Sequence, residues 1–206
     1  IGGVELIRFK LQSEFAAVLA KTGYPFVTMM LGKTVLSEHH PQFVGLFAGD
    51  RSRPYIRELV DTADCVLQLG ELLTDFNTGG FTTHLDPHKT ISANIRSVTI
   101  KHHHYDHVNL LDFMAALTAQ LTHQKPTTKP FRRAVDGCTH RQTEPYQAEA
   151  TKPLTTKRFF DRMSHFVPDA AVVIAETGVS LFCAAEMLMP EGTTFIGQTF
   201  YGSIGY

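Results

Sequence analysis

The sequence predicts an α/β protein: a doubly wound, parallel, Rossmann-like sheet followed by the truncated start of a second α/β domain. Three observations carry this. Between residues 11 and 121, short runs that are apolar on both faces alternate with amphipathic stretches at helical spacing. A segment from Thr122 to Pro153, rich in Pro, Thr, Gln, Lys and Arg, interrupts that alternation. Beyond it a helix, an apolar run and a second helix take it up again.

Each element has its own signal. Leu11, Phe15, Val18 and Leu19 recur at helical spacing, and Gly23 ends the helix. Phe26 to Met30 and Cys65 to Leu69 are short apolar runs, which predicts buried strands. Pro54 opens a helix through Ile56, Leu59 and Val60 that ends near Asp64. Thr90-Ile91 and Val98 to Lys101 are two further strands, and Val108 to Leu121 is helical again. The expected division is residues 1–123 as one domain, 124–153 as a linker and 154–206 as the first part of another. In that last part, Thr155 to Val167 is a helix, Ala171 to Ala175 a strand and Val179 to Met189 a helix. Phe200-Tyr201 reads as a strand end ahead of a Gly-Ser-Ile-Gly turn.

Composition narrows the function. The chain has 206 residues, 43% hydrophobic and 19% charged, enough apolar content for a sizeable core. A net charge of −1 argues against nucleic acid or an anionic membrane as partner, because both require a basic surplus. No apolar run reaches the roughly 20 residues that span a bilayer. Ile1 to Leu6 has no initiator Met and no basic region, so it reads as a clipped end and not a signal peptide. Cys65, Cys138 and Cys183 are odd in number and far apart, which suits a reducing cytoplasm.

Several motifs invite chemistry. Glu176-Thr177-Gly178 lies where a strand meets a helix, the position at which open α/β sheets bind anionic groups; the competing reading is a plain helix cap by Thr177. Gly70 to Gly80 also follows a strand, but it is neither a dinucleotide fingerprint nor a Walker loop and reads as structural. His39 and His40, next to Pro41, are expected on a loop with no metal role. His102, His104 and Asp106 share one face if extended, yet a solvated strand end accounts for them, and no tightly bound transition metal is expected. Cys138 and His140 lack the two further ligands of a zinc site.

Four blocks together carry a resemblance: LGKTVLSEHHPQFVGLFAGD (Leu31–Asp50), LGELLTDFNTGGF (Leu69–Phe81), VVIAETGVSLF (Val172–Phe182) and GQTFYGSIGY (Gly197–Tyr206). They resemble the thiamine-diphosphate-dependent 2-oxoacid decarboxylases, the family of pyruvate, indolepyruvate and phenylpyruvate decarboxylases. The resemblance implies a central domain whose first strand is largely absent before Ile1-Gly2-Gly3-Val4, a linker, and the opening of the diphosphate-binding domain. It implies thiamine diphosphate and Mg2+ as cofactors, with the magnesium ligands on a Gly-Asp-Gly motif beyond this chain.

Residue by residue, the resemblance places Thr177 beside the cofactor. Gly202 offers its carbonyl to the aminopyrimidine, and Ile204 is an apolar wedge between the two rings of the cofactor. Glu176, Gly178, Ser180 and Ser203 belong to the same two turns. Many relatives carry Thr or Asp where this chain has Val179, which leaves Ser180 to replace that contact to the diphosphate. No catalytic residue is expected in this chain, since the activating Glu and the catalytic His pair belong to another domain. The expected substrate is a small 2-oxoacid, and the full-length parent is expected to be a cytoplasmic homodimer or homotetramer. The 206 residues alone are expected to be inactive. Two alternatives stand beside this reading: a central domain that binds FAD or ADP, and a purely structural scaffold.

Overall fold

The computed structural model describes residues 1–122 and 146–203; Cys138, His140, Ile204 and most of the predicted linker lie outside the described residues. The first part runs α1 (Val4–Arg8), α2 (Gln12–Thr22), β1 (Phe26–Thr28), β2 (Phe43–Leu46), α3 (Pro54–Asp61), β3 (Val66–Leu69), β4 (Thr90–Asn94), β5 (Ser97–Ile100), β6 (His103–Asp106) and α4 (Leu110–Gln120). The second runs α5 (Thr156–Phe166), β7 (Val172–Ala175), α6 (Val179–Glu186) and β8 (Thr194–Gly197).

The helix ends follow from the sequence. Gly23 takes the left-handed conformation (φ 64°) and its N–H caps Leu19, closing α2. Pro54 fills the first turn of α3, where its missing N–H costs nothing. The Asn109 side chain accepts from the Leu111 amide at 2.8 Å and starts α4. Thr155 does the same for α5 through the Arg158 amide.

The seam of the sheet runs through Gly2, which bridges Thr28 and Leu69 in parallel at the same time. Its N–H donates to the Val27 carbonyl, and the Gly3 N–H donates to the Leu69 carbonyl, each at 2.9 Å. The order is therefore β2, β1, Gly2, β3, β4, β5, β6. The parallel pairing expected of the sheet holds for β3 with β4, and β1 pairs in parallel with β2; both faces are covered. Phe26, Leu69 and Ala93 pack against Leu6, Phe15, Leu110 and Met114 on one face. Val27, Met29 and Val44 pack against Ile56 and Val60 on the other. Adjacent residues Phe26 and Val27 thus enter different cores, which is why the run is apolar throughout.

The structure departs from the sequence reading at four places. The β4–β5–β6 edge is antiparallel, because the two-residue connections at Ile95-Arg96 and Lys101-His102 are too short for a crossover. Helix α1 and strands β2 and β8 carry no sequence expectation, and β8 gives the second part a parallel pair with β7. Helix α6 ends at Glu186 and not Met189, because the Met187 backbone turns extended (ψ 141°). The last strand ends at Gly197, so Phe200-Tyr201 lies in a turn and is not a strand end.

A third apolar cluster joins the two parts: Met30 and Leu46 meet Ala175, Leu181, Ala185, Met187, Met189 and Phe195. No helix among the described residues is long and apolar enough to cross a membrane.

Candidate functional site

Because β7 and β8 run parallel with Ala175 opposite Gly197, the two carboxyl ends lie side by side, and the turns that follow them form one cradle. Thr177 links the turns: its hydroxyl donates to the Gln198 carbonyl at 3.2 Å. Gly178 (φ 129°) turns the chain into α6 with nothing within 4 Å of where its Cβ would stand. The N-cap of α6 is Gly178 and makes no side-chain cap bond, so the first-turn amides lack that partner. Gly202 (φ 65°) lies in a tight turn closed by the Ser203 amide on the Phe200 carbonyl at 2.8 Å. A methyl on Gly202 would meet the Phe76 ring and the Thr177 methyl, each at 3.8 Å.

The structure brings together Glu176, Thr177, Gly178, Gly202 and Ser203, while Ile204 lies outside the described residues. The polar side chains are already engaged. Glu176 accepts from the Thr177 amide at 3.1 Å, and the Ser180 and Ser203 hydroxyls donate to the Glu176 and Phe200 carbonyls, each at 2.8 Å. Ser180 has thus spent its proton on the strand end and presents only lone pairs elsewhere. It makes a poor substitute donor at the position where Val179 leaves a gap. The donors left to an anion here are backbone amides.

Phe76 was not singled out in the sequence. It reaches the cradle from the loop after β3 and stacks on Phe182 with ring centroids 5.7 Å apart. Together with Met30, Leu46, Arg51 and Glu186 these two rings wall a cleft of about 230 Å3. The only signal was a lone Phe inside a polar loop. Its direction depends on the fold of Gly70–Gly80, where Asn77 is fully buried, accepts from the Leu31 amide at 3.0 Å and donates to the Leu72 carbonyl at 2.7 Å.

The other place where an open sheet binds ligands is the crevice at the carboxyl ends flanking Gly2. Here it is closed. A Cβ on Gly3 would stand 2.0 Å from the Gly70 carbonyl oxygen, and one on Gly32 2.3 Å from that of Gly2. Glu71, next to Gly70, is buried, and burial pushes its carboxyl up to about 7 against hydrogen bonds from Asn77 and from the Met29 and Leu72 amides.

The histidines divide as follows. His40 lies on a loop, with its ring on Phe26 and its Nδ1 accepting from the Gln42 amide; burial lowers its pKa. His104 pairs with Thr99 and Asp106, all exposed, whereas His102 turns away to His88, with 3.3 Å between their Nε2 atoms. Among the described residues no three His, Cys, Asp or Glu converge on one point. Cys65 is an exposed free thiol.

Residues 1–121 match the thiamine pyrophosphate enzyme, central domain family. The chain belongs to this family of thiamine pyrophosphate enzymes. It is 31% identical over 204 residues to an alpha-keto-acid decarboxylase of Mycolicibacterium paratuberculosis, covering 98% of this chain and 35% of the relative. It is 29% identical over 202 residues to a pyruvate decarboxylase of Aspergillus fumigatus, covering 97% of this chain and 34% of the relative. A pyruvate decarboxylase 1 of Oryza sativa is 28% identical over 207 residues, covering 100% and 34%. The chain thus spans about a third of the length of the curated relatives it matches.

Proposed function

We propose that these residues are part of a thiamine-diphosphate-dependent, non-oxidative 2-oxoacid decarboxylase that converts pyruvate or an aryl-pyruvate to an aldehyde and CO2. In this reading residues 1–123 are its central domain, 124–153 a linker and 154–206 the opening of its diphosphate-binding domain. The observation that carries the reading is the Thr177–Gly202 cradle, closed on one side by Phe76 from the family-matched part.

The cradle suits the cofactor on three counts. The uncapped first turn of α6 offers amides and a positive dipole end to a diphosphate. Gly178 leaves the approach open. Gly202 lets a ring come close to the backbone, between the Phe76 ring and the Thr177 methyl. Thiamine diphosphate, when bound, supplies the electron sink that a 2-oxoacid needs to lose CO2. The roles of this chain are binding and orientation. Amides of Gly178, Val179 and Ser180 hold the anionic end, Thr177 fixes the spacing of the two turns, and the Gly202 carbonyl accepts a hydrogen bond from the aminopyrimidine. Ile204 is the apolar wedge. Mg2+ accompanies the diphosphate on residues outside this chain.

The odd number of cysteines and the modest charge fit a cytoplasmic homo-oligomer acting on a small molecule. The FAD or ADP alternative has less support, because the crevice at Gly2 is filled by backbone. The test is turnover of pyruvate, indolepyruvate and phenylpyruvate by the full-length enzyme, with calorimetry of thiamine diphosphate and magnesium. Cofactor binding with CO2 release from at least one substrate is expected; neither being seen would overturn the reading.

A further inference from the structure

The turn between β1 and β2 holds a charge pair that the cofactor site does not use. Lys33 and Glu38 are 2% and 3% exposed, and Lys33 Nζ lies 2.6 Å from Glu38 Oε1. Each also takes hold of the distant segment that follows α6. Lys33 Nζ donates to the Met187 carbonyl at 2.7 Å, and the Met189 amide donates to Glu38 Oε2 at 2.7 Å. Neighbouring residues extend the grip: Thr34 Oγ1 accepts from the Phe195 amide at 3.0 Å, and Ser37 bonds Glu191.

Two buried charges are costly to desolvate, and an apolar filling of the same volume would often be as stable. What this pair adds is placement, since each charge satisfies one backbone group on either side of Leu188. Met187 is the C-cap of α6 and Phe195 lies in β8. The segment held is therefore the one connecting the two elements whose far ends carry Thr177 and Gly202. Helix α6 is eight residues long and behaves as a rigid rod, so a shift at Met187 is transmitted to Gly178.

From this we infer that Lys33 and Glu38 are positioning residues: their ion pair fixes α6 and β8 against the central sheet and so sets the spacing of the Thr177–Gly202 cradle. The inference rests on the cofactor reading above. Binding of a ligand across the cradle and closure of this latch must then favour one another reciprocally.

The test uses the full-length enzyme. Lys33→Met/Glu38→Leu removes both charges together, so that neither is left buried alone. The folded double variant should bind thiamine diphosphate, with magnesium, at least tenfold more weakly. At saturating cofactor its KM for pyruvate should be unchanged. A folded double variant with wild-type cofactor affinity would overturn the inference. If the variant does not fold, the wild type decides through hydrogen exchange of peptides covering Met187 to Phe195. Saturating thiamine diphosphate should slow exchange at Met189 at least threefold, and unchanged exchange would overturn the latch while leaving the cofactor reading intact. Absence of cofactor binding by the wild type would overturn both.

Discussion

Gly202 combines two demands that only glycine meets at once: a left-handed backbone (φ 65°) and a clear face between Phe76 and Thr177. Gly202→Ala should cost about 1–2 kcal/mol in local backbone strain. In the full-length enzyme the same methyl should weaken thiamine diphosphate binding severalfold. Thermal unfolding of the 206-residue chain and calorimetry of the full-length enzyme read the two effects separately, and unchanged cofactor affinity would remove Gly202 from the site. At this scale the sequence was informative about backbone and poor about side chains. The Glu-Thr-Gly and Gly-Ser turns were visible because glycine and strand ends leave composition marks. Phe76, Lys33 and Glu38 were not, since each acts on residues more than 100 positions away and leaves no periodic trace.

At the scale of elements, Asn77 ties the loop after β3 to the loop after β1 while fully buried. Asn77→Ala leaves the Leu31 amide and the Leu72 carbonyl without their partner and should destabilise the chain by about 3 kcal/mol. Urea unfolding measures this; a loss below about 1 kcal/mol would mean that water replaces the amide. Elements with a continuous pattern were legible: α2, α3, α4 and α5 end within a few residues of their sequence-predicted limits. His103–Asp106 is a strand exposed at every position, where the sequence reading put a solvated strand end. Strands β2 and β8 were not legible, for separate reasons. Phe43–Leu46 contains a glycine at φ 146°, against which Ile56 packs. Thr194–Gly197 is only four residues long and gains its place by pairing with β7.

For the whole molecule, the buried Glu71 makes stability depend on pH. Its carboxyl holds a proton up to about pH 7 when folded and releases it near 4.5 when unfolded. Between those values the folded state binds more protons, so stability falls as pH rises from about 4.5 to 7 and levels off above. Glu71→Gln should flatten this slope and gain, at pH 8, on the order of 3 kcal/mol relative to the wild type. Denaturant midpoints for both proteins at pH 5 and pH 8 test it, and parallel profiles would assign the slope to other groups. The functional reading also predicts that the 206 residues alone release no CO2 from pyruvate, because the activating Glu and the His pair that this reading requires belong to another domain. Measurable release by the purified chain would show that the catalytic groups had been missed.

The seam through Gly2 governs the order in which this protein can assemble. Its hydrogen bonds join Ile1–Gly3 to residues 27, 67 and 69, so each of them closes a long loop. The β4–β5–β6 meander instead closes through two-residue turns and can form on the microsecond scale of hairpins. Its early formation gives β3 an edge to dock on, and closing the seam at Gly2 is then the slow, topology-limited event. In pulse-labelled refolding, amides of β5 should gain protection before those of Gly2, Gly3 and Leu69. Destabilising the seam should then speed unfolding while leaving the refolding rate of the meander almost unchanged.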